Sequence, residues 1–480
     1  MQRALLLSLV SASYLLLAGG PRWTLAPLLG VALLCVAWAP RRTLAFPAST
    51  RSLDTALLAL AAGIAIQVVP LPARVVALVS PHAQPLRAAL RFTVGRPSGE
   101  AWLPLSIDAE ATAYALAATF LGILSFWIAR ATFSAGGHTR QFCRALGLLA
   151  AIAAMVAIVQ KAVMPGLVMG VITPEARNAS PMGPFLNRNH FGAWLLMVST
   201  ASLGYITAHL HIHPAYRQRM GAAVKRFVTS GALLSGIAAI VTIGALLMTL
   251  SRSAVAGLGA AALFAGWLAR PRLRVERTAL PALYVTTGLV LLLLVLFIDI
   301  EGWLTRVQHS LGLVTGFDRL TIWRESLPMV RDFIVTGTGA GTYGQAMGEY
   351  QQSRFWVGSM QRWAHFNNAH SHYVQLAAEG GLLLVVPAVA ALTALARLGV
   401  AAVRADKGEV FWVRAGAAAG LVGIAVQSIW EVPLVMPANA VLVGVLAGLL
   451  LHRRDAVRSQ TPPELGWAPD HTPTTAGRNQ

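Results

Sequence analysis

The sequence predicts an all-α, polytopic membrane protein with about twelve transmembrane helices. Of its 480 residues, 56% are hydrophobic and only 12% are charged, which lies outside the range of soluble proteins and is typical of membrane proteins. Apolar segments close to the ~20 residues that cross a bilayer follow one another along the chain. Small arginine-rich clusters separate these segments in pairs, as the positive-inside rule describes.

The first apolar segment, from about Ala4 to Leu17, has the length of a signal peptide. A second apolar run, Trp23 to Ala39, follows almost at once, so we expect an uncleaved first helix. Each basic cluster comes after an even-numbered segment, which predicts that these loops and both termini are cytoplasmic. The clusters are Arg41, Arg42 and Arg51; Arg130, Arg140 and Arg144; Arg217, Arg219, Lys225 and Arg226; Arg270, Arg272, Arg274 and Arg277; Arg397, Arg404, Lys407 and Arg414; and Arg453, Arg454 and Arg458.

The odd-numbered connections therefore face outward. Between the third and fourth segments, Leu71 to Ile107 has apolar residues at helical spacing, interrupted by Pro81 and Pro85, which predicts a helix in the membrane interface. The largest hydrophilic stretch, residues 301–369, lies between the ninth and tenth segments. It predicts two helices, Asp318 to Phe333 and Tyr343 to Trp356, on either side of a Gly-rich break from Thr336 to Gly341.

We expect residues 1–458 to form one transmembrane domain that includes this periplasmic segment, and residues 459–480, rich in Pro, Thr and Gly, to be a disordered cytoplasmic tail. The formal net charge is +19, but its basic residues form no single stripe, which favours membrane lipids over nucleic acid as partners. The two cysteines, Cys35 and Cys143, predict no disulfide.

Three polar groups mark the outward face: Arg188 after the fifth segment, Arg252 after the seventh, and His370 before the tenth. Arg252 interrupts otherwise apolar sequence, and a permanently charged guanidinium in that position needs an anion. Taken singly, each residue has a structural alternative: Arg252 could cap a helix or reach a lipid phosphate, Arg188 could support a loop, and His370 could be a packing histidine. Their shared face favours a functional site.

Two arginines can hold a diphosphate and neutralise the charge that grows as it leaves, while a neutral histidine can take a proton from an attacking hydroxyl. These groups suffice for glycosyl transfer from a lipid-linked sugar diphosphate. The outward acidic residues form no paired Asp motif that would hold a metal, so we predict a metal-independent enzyme without a cofactor. A zinc site of His365, His370 and His372 is the alternative, although no cysteine or clear carboxylate partner accompanies them.

The segments Arg319 to Tyr343 and Asn367 to Leu383 resemble the signature of the O-antigen ligase and O-antigen polymerase superfamily. An Arg-x-x-x-Trp helix and a Gly-x-Gly turn precede a His-Ser element and a Gln-Leu-x-x-Glu-x-Gly helix start. Three upstream segments are similar to the same family: PLSIDAEAT (Pro104 to Thr112), FLNRNHFG (Phe185 to Gly192) and TLSRSAVAG (Thr249 to Gly257).

The resemblance implies a metal-independent glycosyltransferase of the GT-C type in the bacterial inner membrane. Its donor would be a glycan on undecaprenyl diphosphate, used at the periplasmic face. Carried onto this sequence, the resemblance gives Arg188 and Arg252 to the diphosphate and the role of base to His370. Substrate-binding residues would be Arg319, Trp323, His372, Asn187, Asn189 and His190. Arg319 and Trp323 could instead dock the periplasmic helix.

Within the superfamily, we favour an O-antigen ligase that acts on lipid A-core. The alternatives are an O-antigen or exopolysaccharide polymerase, whose acceptor is a glycan, and a protein O-oligosaccharyltransferase. A flippase or transporter is the non-enzymatic alternative. It would place charged residues deep within several helices and show internal symmetry, and the sequence has neither.

Overall fold

The computed structural model describes residues 2–38, 47–90, 102–136, 139–174, 179–212, 231–273, 319–353, 356–357, 362–406 and 409–453. Within these ranges lie fifteen α-helices and four two-residue strands. The helices are α1 (Gln2–Leu15), α2 (Leu25–Trp38), α3 (Arg51–Val68), α4 (Ala73–Val79), α5 (Ala83–Ala89), α6 (Ala109–Gly136), α7 (Thr139–Val163), α8 (Arg188–Ile212), α9 (Gly231–Met248), α10 (Arg252–Leu273), α11 (Arg319–Asp332), α12 (Tyr343–Tyr350), α13 (His372–Ala405), α14 (Glu409–Gln427) and α15 (Pro437–Leu451). The strands form two antiparallel pairs, β1 (Leu71–Pro72) with β2 (Trp102–Leu103) and β3 (Trp356–Val357) with β4 (Arg362–Trp363).

Seven of the described helices, α3, α6, α7, α8, α10, α13 and α14, are long and apolar enough to cross a membrane. Helices α2, α9 and α15 are also apolar but shorter. The predicted polytopic, helical membrane class is therefore confirmed. The predicted ninth segment, which precedes Glu301, and the predicted tail lie outside the described residues, so the total of about twelve spans stays a prediction.

Helix α8 lies at the centre of the bundle, and its side chains are buried on nearly every face, including Trp194. Glycines let its neighbours approach closely. A Cβ atom on Gly204 of α8 would lie 2.7 Å from the carbonyl oxygen of Trp412 in α14. A Cβ atom on Gly257 of α10 would lie 2.6 Å from the carbonyl oxygen of Gly423, also in α14. Small residues at such crossings are typical of helix packing in membranes.

Helix α14 is antiparallel to α8, because Gly204 meets Gly416 and Leu196 meets Gly423. Helix α10 runs in the same direction as α8, because Gly192 meets Ala254 and Leu196 meets Gly257. The beginnings of α8 and α10 and the end of α14 consequently lie at the same end of the bundle. Residues that are more than 200 positions apart in sequence are brought together there, as the alternation of outward connections predicts.

A second hydrophobic cluster, separate from that of the bundle, covers this end. We call it the cap, and it consists of α4, α5, α11 and α12, which pack around the buried Met329, Phe333 and Tyr343. The predicted interfacial helix is in fact two short helices, α4 and α5, because Pro81 lacks the N–H that a continuous helix would require.

Helix α11 lies within the predicted range, but the prediction that α12 reaches Trp356 is wrong, since α12 ends at Tyr350. The carboxylate of Glu325 accepts hydrogen bonds from the backbone N–H groups of Gln352 and Ser353, both at 3.0 Å. These bonds hold the chain in an extended course away from the helix axis.

The Gly-rich break from Thr336 to Gly341 fits against an interruption in α13 at Gly381, where φ is 51°. The side chain of Gln67 in α3 joins the two, because its amide nitrogen donates to the carbonyls of Thr336 (2.7 Å) and Glu379 (2.9 Å). Its amide oxygen accepts from the N–H of Ala340 at 3.0 Å. One buried amide thus joins the cap to the early part of α13.

Candidate active site

Helix α8 begins at Arg188 because the preceding residue, Asn187, caps it. The Asn187 side-chain oxygen accepts from the N–H of Asn189 at 2.8 Å, which is the usual bond of an N-cap residue. The N–H of Arg188 meanwhile donates to the carbonyl of Ser180 at 3.1 Å, which ties the preceding loop to the helix. Arg188 and Asn189 therefore stand on the first turn of α8.

Helix α10 follows α9 through a very tight turn. Leu250 adopts a left-handed backbone with φ of 52°, a conformation that is uncommon for residues other than glycine. Ser251 then caps α10, because its hydroxyl accepts from the N–H of Ala254 at 3.3 Å. Arg252 is the first residue of the new helix and lies at the level of Arg188.

His370 is held in a left-handed conformation, with φ of 46°, immediately before α13. Its N–H donates to the side-chain oxygen of Asn368 at 3.1 Å. The preceding residue, Ala369, is bonded through both backbone groups: its carbonyl accepts from the indole N–H of Trp323 at 2.9 Å and its N–H donates to Gln375 at 3.3 Å. Such strain costs on the order of 1–3 kcal/mol and persists only where the surroundings enforce it.

Glu431, in the link between α14 and α15, completes the arrangement. Its side chain is only 1% exposed, and one carboxylate oxygen accepts from Asn189 at 2.6 Å and from Arg319 at 3.1 Å. The same oxygen lies 3.8 Å from Nδ1 of His370. Burial alone would raise the pKa of Glu431, but the adjacent His370 together with His190 and Arg319 lowers the pKa below its ordinary value, so the carboxylate is ionised.

These side chains surround one cavity of about 230 Å³. Its lining residues come from five separate parts of the described chain: Arg188, Asn189, Leu250, Arg252, Ser253, Arg319, His370 and Glu431. Three arginines face a single carboxylate, so the cavity carries a positive charge that suits an anion. Its volume is below the ~300–1,000 Å³ of a typical small-molecule pocket, which suits a compact charged group.

Of the residues predicted from the sequence, the cavity brings together Arg188, Arg252, His370, Arg319 and Asn189. Two histidines are not part of its lining. His190 is buried in the bundle, where its carbonyl accepts from Asn439 at 3.1 Å. His372 begins α13, and its N–H donates to the carbonyls of Ser428 (2.9 Å) and Glu431 (3.1 Å).

Trp323 and Asn187 also lie outside the lining and have structural contacts. The indole of Trp323 belongs to the cap cluster and supports the carbonyl next to His370, whereas Asn187 caps α8. The contacts of Trp323 are those expected if this residue docks the periplasmic helix and does not bind substrate. For Arg319, which stands at the start of α11 and faces the cavity, both predicted roles are compatible with its position.

In the described part of the chain, no group of three or more histidine, cysteine, aspartate or glutamate side chains could hold a metal ion. The three clustered histidines do not converge. The His365 ring is exposed and bonded to the carbonyl of Gly344 at 2.7 Å, while His370 faces the cavity and His372 does not line it.

Comparison with known families assigns part of this chain. Residues 237–389 match the family model described as O-antigen ligase. These residues form an O-antigen ligase family domain. The family domain contains Arg252, Arg319 and His370, whereas Arg188 and Glu431 lie outside the matched range and reach the cavity through α8 and the α14–α15 link. No curated protein matches the chain.

Sequence reasoning gave no role to Glu431. Its position in an odd-numbered connection, like those of Arg188, Arg252 and His370, is the signal that could have placed it at the same site.

Proposed function

We propose that the protein is a metal-independent glycosyltransferase that takes a glycan from undecaprenyl diphosphate and joins it to an acceptor hydroxyl. The proposed location is the periplasmic face of the bacterial inner membrane, with both termini in the cytoplasm. Among the members of the family, we propose an O-antigen ligase whose acceptor is lipid A-core. The observation that carries the proposal is the single cavity where Arg188, Arg252, Arg319 and His370 converge.

The arginines account for donor binding. A polyprenyl diphosphate keeps its lipid tail in the bilayer and its diphosphate at the level of the headgroups, which is where we expect α8 and α10 to begin. Arg188 and Arg252 lie on the first turns of those two helices, and guanidinium groups bind phosphate oxygens bidentately. Because charge grows on the diphosphate as the sugar leaves, these contacts strengthen in the transition state.

His370 accounts for activation of the acceptor. In its neutral form, the ring can accept the proton of a hydroxyl that attacks the anomeric carbon. The bond from that carbon to the diphosphate oxygen breaks, and its electron pair leaves with the diphosphate. Asn189 and Arg319 lie beside His370 and are placed to orient the acceptor or the sugar.

The proposed sidedness is supported by where the other arginines lie. Arg270 is near the far end of α10, roughly 27 Å along the helix axis from Arg252. Arg404 lies in the last turn of α13 and Arg453 follows α15, again at the end of the bundle opposite to the cavity. Under the positive-inside rule, that end is cytoplasmic and the cavity is periplasmic.

The test is transfer by purified protein from undecaprenyl-diphosphate-linked glycan to either lipid A-core or a second lipid-linked repeat unit, with EDTA present. We expect product on lipid A-core. We expect Arg252→Ala to lower kcat by about 10²–10³-fold and His370→Ala by about 10²–10⁴-fold. His372→Ala should have a smaller effect, because His372 does not line the cavity.

Arg270→Ala is the matched control, since it removes an exposed arginine from the other end of the same helix. Longer lipid-linked chains in place of ligated product would indicate a polymerase, and transfer only to a protein acceptor would indicate an O-oligosaccharyltransferase. Loss of activity in EDTA that a divalent ion restores would overturn the metal-independent mechanism. Movement of the lipid-linked donor from one leaflet of a vesicle membrane to the other, without any glycosyl transfer, would indicate a flippase.

A further inference from the structure

Two buried polar atoms at the cavity lack hydrogen-bond partners within the described part of the chain. One is Nδ1 of His370 and the other is Oε2 of Glu431. Buried polar groups are nearly always paired, so each of these atoms requires an explanation. A neutral imidazole can donate from Nδ1, and an ionised carboxylate can only accept, so the two groups are complementary.

The two groups are also close. Nδ1 of His370 lies 3.8 Å from Oε1 of Glu431, less than 1 Å beyond hydrogen-bonding distance. Catalytic hydrogen bonds are often long in the absence of substrate and shorten in the substrate complex. Glu431 itself is held in place, because Asn189 and Arg319 bond to Oε1 and the buried backbone around it binds the N–H of His372.

We propose that Glu431 is the positioning residue of the base, accepting a hydrogen bond from Nδ1 of His370 so that Nε2 faces the acceptor hydroxyl. This inference rests on the glycosyl transfer proposed above. As the acceptor oxygen bonds to the anomeric carbon and the diphosphate leaves with the electrons of the broken bond, the hydroxyl proton moves to Nε2. The resulting imidazolium is stabilised by the carboxylate, and its proton then passes to solvent.

The surroundings of His370 make such a carboxylate necessary. The charged or titratable groups around it are Arg188, Arg252, Arg319 and Glu431, which line the cavity, and His190 of α8, which does not. The arginines disfavour a positive imidazolium in their midst. Among the residues that line the cavity, Glu431 alone offers an opposing negative charge.

Glu431→Gln tests the proposal, because it keeps the size of the side chain and removes its charge. General-base catalysis contributes about 10²–10⁴-fold, and we expect the variant to lose about tenfold or more in kcat with little change in KM for the donor. The acid limb of the pH profile should move to lower pH, since the imidazolium loses its counter-charge. Glu431→Asp should recover part of the activity and return the limb toward its wild-type position.

The control is Glu379→Gln, which neutralises another buried carboxylate of the same bundle that does not line the cavity. It should affect thermal stability without moving the acid limb. A folded Glu431→Gln protein with wild-type kcat and pH profile would overturn the proposal. So would a loss of kcat with the acid limb unmoved, which would indicate a purely structural role.

A second readout does not depend on activity. In ¹⁵N-histidine NMR spectra of the wild-type protein, assigned by comparison with His370→Asn, the neutral His370 ring should carry its proton on Nδ1. A mixture of tautomers should appear in Glu431→Gln. A wild-type ring protonated on Nε2 would refute the positioning role. Wild-type protein that transfers no glycan would refute the proposed function alone and leave this readout to decide the role of Glu431.

Discussion

Substitution of Gly337 by alanine should loosen the attachment of the cap to the bundle. Gly337 lies in the Gly-rich break between α11 and α12, with φ of 67°. A Cβ atom there would lie 2.0 Å from the carbonyl oxygen of Glu379 and 2.3 Å from the nitrogen of Gly380, whereas ordinary contact begins at 3.4 Å. These are backbone atoms of α13, so relief requires the helix interruption itself to move by more than an ångström.

The cost can be estimated from three contributions. A left-handed conformation costs a residue with a Cβ about 1–2 kcal/mol, and overpacking costs about 1–3 kcal/mol. The displaced Glu379 carbonyl also accepts from Gln67 and Gly339, and each such bond contributes roughly 0.5–1.5 kcal/mol. The free energy of unfolding should therefore fall by about 3 kcal/mol or more, a large part of the ~5–15 kcal/mol of a typical folded domain.

The assay is thermal unfolding in detergent micelles, followed by the reaction of a thiol dye with Cys35 and Cys143. Both thiols are free and buried in the native protein, so they react when the bundle opens. We expect Gly337→Ala to lower the apparent unfolding temperature by about 5 °C or more. Gly30→Ala in α2 is the control: its Cβ would meet nothing within 4 Å, and alanine in a helix gains about 0.5–1 kcal/mol over glycine. Equal unfolding temperatures for wild type and Gly337→Ala would refute the reasoning.

Two further predictions concern the cap. Trp323→Phe should leave the Ala369 carbonyl without its indole donor, at a cost of about 1–3 kcal/mol in the free energy of unfolding. It should lower kcat more than donor affinity, because His370 directly follows Ala369. Trp102→Phe, at an exposed tryptophan, is the control, and an unchanged kcat in Trp323→Phe would contradict the role of the indole. Burial is the main cause that raises the pKa of Tyr343 to about 12, so its contribution to stability is complete below the unfolded pKa of about 10 and is lost as the pH rises from there toward about 12. Unfolding temperatures measured across that range should fall less steeply in Tyr343→Phe than in wild type, and equal slopes would exclude Tyr343 as the cause.

The sequence predicts which connections contribute residues to the cavity, because this depends only on the number of apolar segments between them. Each apolar segment reverses the direction of the chain, so polar residues in alternate connections must share a face. This rule alone assigns Arg188, Arg252 and His370 to one face, and Glu431 obeys the same rule. The rule works without knowledge of how the helices pack.

Which side chain of a pair faces the cavity could not be predicted in this way. Asn189 and His190 are neighbours on α8 and point about 100° apart. Because α8 is buried on nearly all sides, its pattern of apolar residues does not show which of the two faces the cavity. His370 and His372 differ for another reason: His370 has a left-handed backbone and precedes α13, whereas His372 is the first residue of that helix. The neighbouring Ala369 carbonyl is held by the indole of Trp323, a tertiary contact that local sequence does not specify.

The bonds of Gln67 have a consequence for how the protein is made. Its partners Thr336 and Glu379 lie 269 and 312 residues further along the chain, so they leave the ribosome long after α3 has been inserted. At about 5–20 residues per second, the interval is on the order of 15–60 s. Throughout that time, the end of α3 presents an amide that must be solvated by water, by the insertion machinery or by a chaperone. Assembly of the cap can finish only after Glu379, in the early part of α13, has been synthesised, and the site is completed later still because it also requires Glu431.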